Sequence, residues 1–338
     1  MNYCILKEDV DSFSKSFSKR KEIHGKSFLI TGATGLLGSL TVKCLLSLYE
    51  DVTIICQIRN KEKAEKVFDG LLDRITIFPY PLSSLANFET PVDYIIHYAA
   101  PTASRFFVDN PVDTIDAVVS GTMNVLQYAK NVSVKSFVYA SSLEVYGIIN
   151  NDSKAITEDI QGYINPLDER SSYPVGKRMA ECLCYSYYRQ YNVPAKIARL
   201  AQTFGPGIEY NDGRVFAYLS RSIIENKDIV LNSTGELSRT YCYTIDAITA
   251  ILYILLLGES GNAYNVGNDS TYISVAEMAR FLQKEFSPSI SVRIEPKENM
   301  GFSPVTKLRL DTTSIRQLGW QPHYELKEMF SRLINYLR

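Results

Sequence analysis

The chain of 338 residues contains few of the residues that build metal centres and hydrolytic triads. It has only three histidines, His24, His97 and His323, and no two of them stand at a spacing typical of metal ligands. Its six cysteines form no CxxC or CxxH pair, which indicates reduced thiols of a cytosolic protein. A GxSxG segment is also absent. We therefore expect neither a metal site nor a Ser-His-Asp hydrolase.

The sequence also lacks an excess of charge and long apolar runs. Its 36 Lys and Arg residues nearly balance its 37 Asp and Glu residues, so it has no basic footprint for nucleic acid or an anionic membrane. No segment reaches ~18 uninterrupted apolar residues, and the N-terminus has no apolar run of signal-peptide type. These features predict a cytoplasmic protein with a small-molecule partner, and with neither nucleic acid nor a membrane as partner.

Short β-rich runs do alternate with helix-length segments from residue 27 to about residue 200. This alternation is typical of an α/β fold in which helices cover both faces of a parallel sheet. Six strands are enough for a doubly wound sheet of Rossmann type. The predicted strands cover 27–31, 52–57, 74–78, 92–98, 134–141 and 195–200.

The regular alternation ends near residue 200, where loops rich in Gly, Asn, Asp and Pro begin. We predict a dinucleotide-binding domain over 25–200, with 240–265 contributing to it. Residues 201–338 form mainly a smaller, interleaved C-terminal substrate-binding domain. The polar segment 1–24 is either an added helix or a loosely held arm.

A glycine-rich turn follows the first predicted strand directly, in the segment "TGATGLLG". Its glycines have the spacing GxxGxxG, and a segment of helical period comes next. Glycine lets the chain turn tightly and lets backbone N–H groups approach a pyrophosphate. The position between a strand and a helix favours dinucleotide binding over a merely structural turn. The predicted cofactor contacts here are Gly32, Thr34, Gly35, Leu36, Leu37 and Gly38.

The end of the second strand bears on the choice between NAD and NADP. An Asp or Glu usually stands there and holds the ribose hydroxyls of NAD, but this sequence reads Cys56-Gln57-Ile58-Arg59-Asn60. Arg59 can instead contact the 2′-phosphate of NADP, or it can be a solvated loop residue. We predict NAD as the cofactor and leave NADP as the alternative.

A serine, a tyrosine and a lysine form the predicted catalytic group. The strand "KSFVYASS" delivers Ser142 to the carboxyl end of the sheet, and Tyr173 and Lys177 lie one helical turn apart. A tyrosine has an unperturbed pKa of ~10, but a nearby ammonium and a nicotinamide cation favour its phenolate. Such a phenolate takes the proton of an alcohol while hydride leaves for the cofactor.

Several motifs in order make the chain resemble the extended short-chain dehydrogenase/reductase family over about 25–335, and within it the nucleotide-sugar epimerases, dehydratases and decarboxylases. It is most similar to the UDP-glucuronate decarboxylases. The motifs are "TGATGLLG", "DYIIHYAAP", "YASSLEVYG", "YPVGK", "RLAQTFGPG", "NDGRVF", "RTYCY" and "AYNVGN".

The resemblance implies a role for each residue around the active strand. Tyr173 is implied as the base, Lys177 as its electrostatic partner and ribose ligand, and Ser142 as the hydroxyl that orients the sugar. Glu144 corresponds to an acid near C5 or C6 of the sugar. The alternative is that Glu144 starts a helix or supports another residue of the site without touching the sugar. In the segment "DYIIHYAAP", Ala99 and Ala100 are implied cofactor contacts.

The distal half supplies the implied substrate contacts. Arg214 and Arg239 resemble residues that hold the nucleotide diphosphate and the sugar, because planar guanidinium groups suit phosphate and carboxylate oxygens. A surface ion pair is the alternative for each. Gln202 is a further expected contact, although it replaces an asparagine common in the family. Leu143 replaces the aspartic acid that protonates the leaving hydroxyl in 4,6-dehydratases, which disfavours elimination of water.

The resemblance implies an enzyme that oxidises a nucleotide-diphosphate sugar at C4 with a bound nicotinamide cofactor. We expect decarboxylation of a UDP-hexuronate first and 4-epimerisation second, followed by 4,6-dehydration or 4-keto reduction. A non-catalytic dinucleotide-binding sensor is a remote alternative. Helices near 111–130 and 173–191 resemble the pair that forms a four-helix dimer bundle in this family, so a homodimer is also expected.

Overall fold

A parallel sheet at the centre of the molecule organises the fold. The computed structural model describes residues 2–149, 154–297 and 305–338. Numbered in chain order, the strands are β1 (Ser27–Thr31), β2 (Thr53–Gln57), β3 (Thr76–Phe78), β4 (Tyr94–His97), β5 (Ser136–Ser142), β6 (Ala195–Leu200), β7 (Gln202–Phe204), β8 (Ile229–Leu231), β9 (Ser238–Tyr243), β10 (Ala263–Val266), β11 (Asn268–Ser274), β12 (Val292–Ile294) and β13 (Lys307–Leu308). The central sheet has seven strands in the order β10-β6-β5-β4-β1-β2-β3.

Helices cover both faces of this sheet. They are α1 (Tyr3–Ser16), α2 (Leu36–Leu46), α3 (Lys61–Val67), α4 (Ser104–Asp109), α5 (Pro111–Ile115), α6 (Gly121–Asn131), α7 (Ser172–Tyr191), α8 (Val215–Ile224), α9 (Thr244–Leu257), α10 (Val275–Phe286), α11 (Thr313–Gln317) and α12 (Leu326–Leu337). Helices α2 and α9 pack on one face, and α6 and α7 pack on the other. A strand covered on both faces has consecutive apolar residues, as β1 does with its buried run Phe28-Leu29-Ile30.

The predicted fold class, a Rossmann-type doubly wound sheet, is confirmed. All six predicted strands are present, and β10 adds the seventh beside β6. Several predicted bounds were wrong: the second, third, fourth and fifth strands each begin one or two residues later than predicted, and the fourth ends one residue earlier. The third strand begins at Thr76 because Leu72–Arg74 form a 3₁₀ turn. The fifth strand continues to Ser142, which pairs with Leu200 in the parallel ladder.

The chain after β6 builds a second, smaller layer and also returns to the central sheet. Strands β7, β9, β11 and β13 form a four-stranded sheet, and β8 pairs with β12. Between them in sequence, α9 packs on β5 and β6, and β10 joins the central sheet. The C-terminal half is therefore interleaved with the sheet that precedes it.

Helix α1 occupies the polar N-terminal segment and packs against α2, α9 and α12. Phe13 is buried, and so is the carboxylate of Asp9. The Tyr243 hydroxyl donates to that carboxylate over 2.6 Å, and the Arg332 Nε donates to it over 2.9 Å. These contacts fasten the start of the chain to its end.

Within the described residues, no helix combines the length and the apolar content needed to cross a membrane.

A buried ion pair joins the strands and the helix at the carboxyl end of the sheet. Glu181 of α7 accepts from the Nε and Nη2 of Arg199 in β6, with the shortest contact at 2.8 Å. The Ser141 hydroxyl of β5 donates to the same carboxylate over 2.5 Å. Arg199 also donates to the Tyr146 hydroxyl over 3.1 Å. One carboxylate thus ties three elements together.

We predict that Arg199→Met lowers the free energy of unfolding by about 3–5 kcal/mol, because it leaves the Glu181 charge buried without its cationic partner. Urea unfolding monitored by circular dichroism measures this change.

The control is Lys61→Met, which removes an exposed ion pair with Glu65. That variant should lose less than about 1 kcal/mol. Equal stability of the Arg199 variant and wild type would show that the buried pair contributes nothing to the folded state.

Candidate active site

The glycine-rich turn packs so closely that side chains are excluded at two positions. Gly32 has φ +64°, and a Cβ there would lie 2.9 Å from the backbone N of Ala99. A Cβ on Gly38 would lie 2.4 Å from the carbonyl oxygen of Gly32. The turn therefore brings backbone from β1, α2 and the loop after β4 together, as the GxxGxxG spacing predicts.

The first turn of α2 offers uncapped N–H groups next to these glycines. Its N-cap is Gly35, which has no side chain to accept from them, and the helix runs for 11 residues. Such a helix N-terminus suits a phosphate group, because its free donors and the helix dipole both favour an anion. The predicted contacts Thr34, Leu36 and Leu37 lie in this turn. The residues present fit the pyrophosphate of a dinucleotide.

At the end of β2, Gln57 takes the region usually held by an acid. Its side chain is buried, its Nε2 donates to the Tyr80 carbonyl over 2.9 Å, and its Oε1 accepts from the Gly32 N–H at 3.4 Å. Gln57 thus supports the glycine turn. Arg59 lies two residues further on and is exposed, so its predicted contact with the cofactor stays a prediction.

Beneath the loop after β4, the histidine His97 links two threonines. Its Nδ1 lies 2.6 Å from the Thr31 hydroxyl oxygen, and its Nε2 lies 3.0 Å from that of Thr122. Burial lowers the pKa of His97 to about 3, so the ring is neutral. The Thr31 oxygen also accepts from the N–H of Ala99 over 3.2 Å, which positions the predicted contacts Ala99 and Ala100.

Ser142 ends β5 and begins the 3₁₀ turn Leu143–Tyr146. Its hydroxyl oxygen accepts from the Glu144 N–H over 3.2 Å, which starts the turn. Leu143 points into the hydrophobic core, where it is 2% exposed. The turn therefore presents Glu144, and not residue 143, to the pocket described below.

Tyr173 lies in the first turn of α7, with its ring stacked on Phe107 at 4.2 Å between centroids. Burial raises the pKa of Tyr173 above its ordinary value, and the charge of Glu144 raises it further. A hydrogen bond with Ser142 and the charge of Arg170 both lower that pKa. The predicted base and the predicted serine are thus brought together.

Lys177 reaches from α7 to the end of β5. Its Nζ donates to the Ala140 carbonyl over 2.7 Å, and it lies 4.5 Å from the centre of the Tyr139 ring and 5.7 Å from the centre of the Tyr173 ring. Burial lowers the pKa of Lys177 to about 7, against a raising effect of Glu181. Its predicted role as the electrostatic partner of Tyr173 and as a ribose ligand stays a prediction.

A pocket of about 110 Å³ opens beside Tyr173 and Ser142. Glu144 lies in it between two arginines, 3.4 Å from the Nη2 of Arg170 and 3.7 Å from the Nη1 of Arg239. The Nε of Arg239 is buried and has no hydrogen-bond partner among the described residues. The lining residues are Glu144, Gly147, Ile148, Tyr163, Ile164, Asn165, Asp168, Arg170, Ser171, Pro174, Arg239, Thr306 and Leu308.

Three predicted substrate contacts lie outside this lining, namely Ser142, Arg214 and Gln202. Arg214 precedes α8 and forms an ion pair with Asp212, with 2.6 Å between the Nη2 and Oδ2 atoms. Gln202 begins β7, next to Tyr241 in the second sheet. Their contact with a substrate stays a prediction.

Sequence reasoning missed three residues that the fold places at the site, namely Phe107, Arg170 and Glu181. Arg170 stands three residues before Tyr173, and Glu181 stands four residues after Lys177. Helical spacing within α7 therefore gave a usable signal for Glu181, whereas Arg170 lies in the turn before that helix. Phe107 reaches Tyr173 from a different helix, so no local pattern indicated it.

We predict that the free energy of unfolding of Lys177→Met, relative to that of wild type, is greater at pH 7 than at pH 10. The difference between the two pH values should be about 1–4 kcal/mol. Between about pH 7 and 10.5 the unfolded chain keeps a proton on Lys177 that the folded chain releases. The wild type therefore loses stability as the pH falls through this range, and the variant does not. Urea unfolding at several pH values tests this. A pH-independent difference would contradict it, and Lys61→Met serves as the exposed control.

Curated relatives match the chain along most of its length. UDP-glucuronic acid decarboxylase 5 of Arabidopsis thaliana is 30% identical over 309 residues, covering 89% of this chain and 86% of its own. UDP-glucuronic acid decarboxylase 1 of Xenopus tropicalis is 28% identical over 354 residues, covering 98% of this chain and 79% of its own.

Solved structures share the fold. A dTDP-glucose 4,6-dehydratase from Streptomyces venezuelae, solved with NAD, has a TM-score of 0.76 and 24% identity, covering 92% of this chain and 96% of its own. A UDP-glucuronic acid 4-epimerase from Bacillus cereus, solved with UDP-glucuronic acid and NAD, has a TM-score of 0.75 and 20% identity, covering 92% of this chain and 98% of its own.

The family model described as "NAD dependent epimerase/dehydratase family" matches residues 28–267. This match covers the glycine turn, the catalytic strand, α7 and the seventh strand of the central sheet. The resemblance stated from the motifs is confirmed, as is NAD as the cofactor. The chain belongs to the NAD-dependent epimerase/dehydratase family.

Proposed function

We propose that the protein is a UDP-glucuronate decarboxylase, which oxidises the sugar at C4, releases the C6 carboxylate as CO₂ and reduces C4 again. The observation that carries this proposal is the position of Glu144, held between Arg170 and Arg239 in a pocket beside Tyr173. Similarity to curated UDP-glucuronic acid decarboxylases over most of the chain supports it.

The residues of the site divide the work of the first step. Tyr173 takes the proton of the C4 hydroxyl, and Ser142 hydrogen-bonds the same oxygen. The glycine turn and Lys177 would hold NAD, which would supply the hydride acceptor and donor for C4. Burial raises the pKa of Tyr173, so formation of its phenolate depends on cations next to the ring in the complex with substrate and cofactor.

Loss of CO₂ then follows from the chemistry of the oxidised sugar. A ketone at C4 places the C6 carboxylate β to a carbonyl, so the electrons of the C5–C6 bond can move toward the C4 oxygen as CO₂ leaves. A proton adds to C5, and restoring the C4 alcohol would need the hydride back at C4 and the proton of Tyr173 back on the C4 oxygen. Tyr173 and Ser142 stabilise the C4 oxygen throughout, since charge develops on it in both directions.

The environment of Leu143 disfavours dehydration. Elimination of the C6 hydroxyl needs an acid next to that group, and Leu143, which stands at the expected position, is buried in the hydrophobic core. The 4-epimerase reaction needs no such acid and is therefore the second candidate.

We expect purified protein incubated with UDP-glucuronate and NAD⁺ to convert the substrate into a product lighter by about 44 mass units, the mass of CO₂. Mass spectrometry of the nucleotide sugars measures this. An isomer of unchanged mass and shifted retention time would overturn decarboxylation in favour of epimerisation, and absence of any product would contradict both.

Two variants connect that reaction to the proposed residues. Tyr173→Phe should abolish turnover and retain NAD binding, because only the hydroxyl is removed. Ser142→Ala should slow turnover by about 10²–10⁴-fold if its hydroxyl shares the proton transfer. Near-full activity of the Tyr173 variant would remove the assigned base.

We further propose that the protein is a homodimer formed through α5, α6 and α7. These helices pack on one another and expose large apolar side chains on their outer side. Burying such side chains against a second copy is favourable, since contiguous apolar surface on a soluble chain marks an interface. The exposed apolar residues are Val112, Ile115, Met123, Val175, Met179, Tyr185 and Tyr191.

We predict that the double variant Met123→Lys and Met179→Lys is monomeric, whereas wild type and the control Ile294→Lys are dimeric. Ile294 is exposed and apolar but lies in β12, away from these helices. Size-exclusion chromatography with light scattering measures the mass. A dimeric double variant would exclude this face, and a monomeric wild type would exclude the dimer.

A further inference from the structure

We propose that Arg170 recognises the sugar carboxylate and thereby determines the preference for a hexuronate over a neutral hexose. This inference rests on the proposed function and assigns a residue to its specificity. Arg170 lines the pocket, its side chain is only 10% exposed, and its Nη2 lies 3.4 Å from Glu144.

The position of Arg170 is fixed relative to the predicted base. Its carbonyl accepts from the Tyr173 N–H at 3.4 Å, and its own N–H donates to Asp168 over 2.9 Å. Its guanidinium carbon lies 5.8 Å from the centre of the Phe107 ring, which also stacks on Tyr173. Arg170 therefore stands at the reacting end of the pocket.

The hydrogen bonding of Arg170 leaves capacity for a ligand. A guanidinium has five N–H donors, and within the described residues Arg170 uses them for one contact, with Glu144 at 3.4 Å. That contact is longer than the ~2.7–2.9 Å of a strong charge-assisted hydrogen bond. Arg199 is equally buried but donates to Glu181, Tyr146 and the Glu158 carbonyl. The donors of Arg199 are thus filled by partners within the fold, whereas those of Arg170 are not.

The covalent structure of a hexuronate brings its carboxylate to this end. In a pyranose ring C5 is bonded to C4, whereas C1, which carries the diphosphate, lies across the ring. When the C4 oxygen is at Tyr173, the C6 carboxylate is a near neighbour of that oxygen and the diphosphate points away. Arg170 thus meets the carboxylate and not the phosphates.

The charge of the pocket favours a second anion. Glu144 alone would repel another carboxylate, but Arg170 and Arg239 together outweigh its charge, and the planar guanidinium fork of Arg170 can hold both anions. A neutral hexose gains nothing from the same group. Because the ion pair must be given up as CO₂ leaves, Arg170 contributes to substrate binding more than to the rate of the chemical step.

The test is isothermal titration calorimetry of NAD-loaded Tyr173→Phe protein, in which turnover is abolished, with UDP-glucuronate, UDP-glucose and UDP. We expect this background, with Arg170 intact, to bind UDP-glucuronate more tightly than UDP-glucose, and the Arg170 substitutions are compared in the same background. Arg170→Met should weaken UDP-glucuronate binding by about 10- to 100-fold and leave UDP binding unchanged. Arg170→Lys keeps the positive charge but lacks the planar guanidinium fork. It should lose less affinity for UDP-glucuronate than Arg170→Met does, and its affinity for UDP should not change.

Two results would overturn the inference: an undiminished preference for UDP-glucuronate in both variants, or an equal loss for all three ligands. In turnover assays, KM for UDP-glucuronate should rise more than kcat falls. Since binding is measured without turnover, failure of the decarboxylase proposal can be distinguished from failure of the inference about Arg170. A preference that depends on Arg170 without CO₂ release would sustain the inference and reject the proposed reaction.

Discussion

The carboxylate of Glu181 is the contact on which the geometry of the site depends. It joins Ser141 at the end of β5, Arg199 in β6 and helix α7 in one buried cluster. Ser142, the neighbour of Ser141, and Lys177, one turn before Glu181, take their places from it. Removing either charge of a buried pair leaves the other without compensation, so the cluster holds strand and helix at one relative position.

The same burial also determines the protonation of the side chains in the site. Burial lowers the pKa of Lys177 to about 7 and raises that of Tyr173. The charge of each side chain therefore depends on its surroundings in the fold. Glu181 opposes the effect of burial on Lys177, whereas Arg170 opposes it on Tyr173. The pKa values of the two residues of the predicted pair are thus adjusted by different charged neighbours.

Sequence reasoning predicted what local patterns encode. The six strands, the glycine turn and the spacing of Tyr173 and Lys177 follow from hydrophobic alternation and helical period. The stack of Phe107 on Tyr173, and the contact of the Lys177 Nζ with Ala140, join residues far apart in the chain. Contacts of this kind depend on how helices pack on the sheet, which no short segment determines.

Two departures from the family pattern show how reaction choice is separated from the fold. Gln57 holds the glycine turn through Gly32 and Tyr80, and Leu143 packs in the core. Both side chains support the fold in regions where the family pattern has acids. The remaining freedom lies in the charged pocket of Glu144, Arg170 and Arg239, where two cations surround one anion. A further anion fits there at lower cost than a neutral group, because it uses donors that are otherwise unfilled.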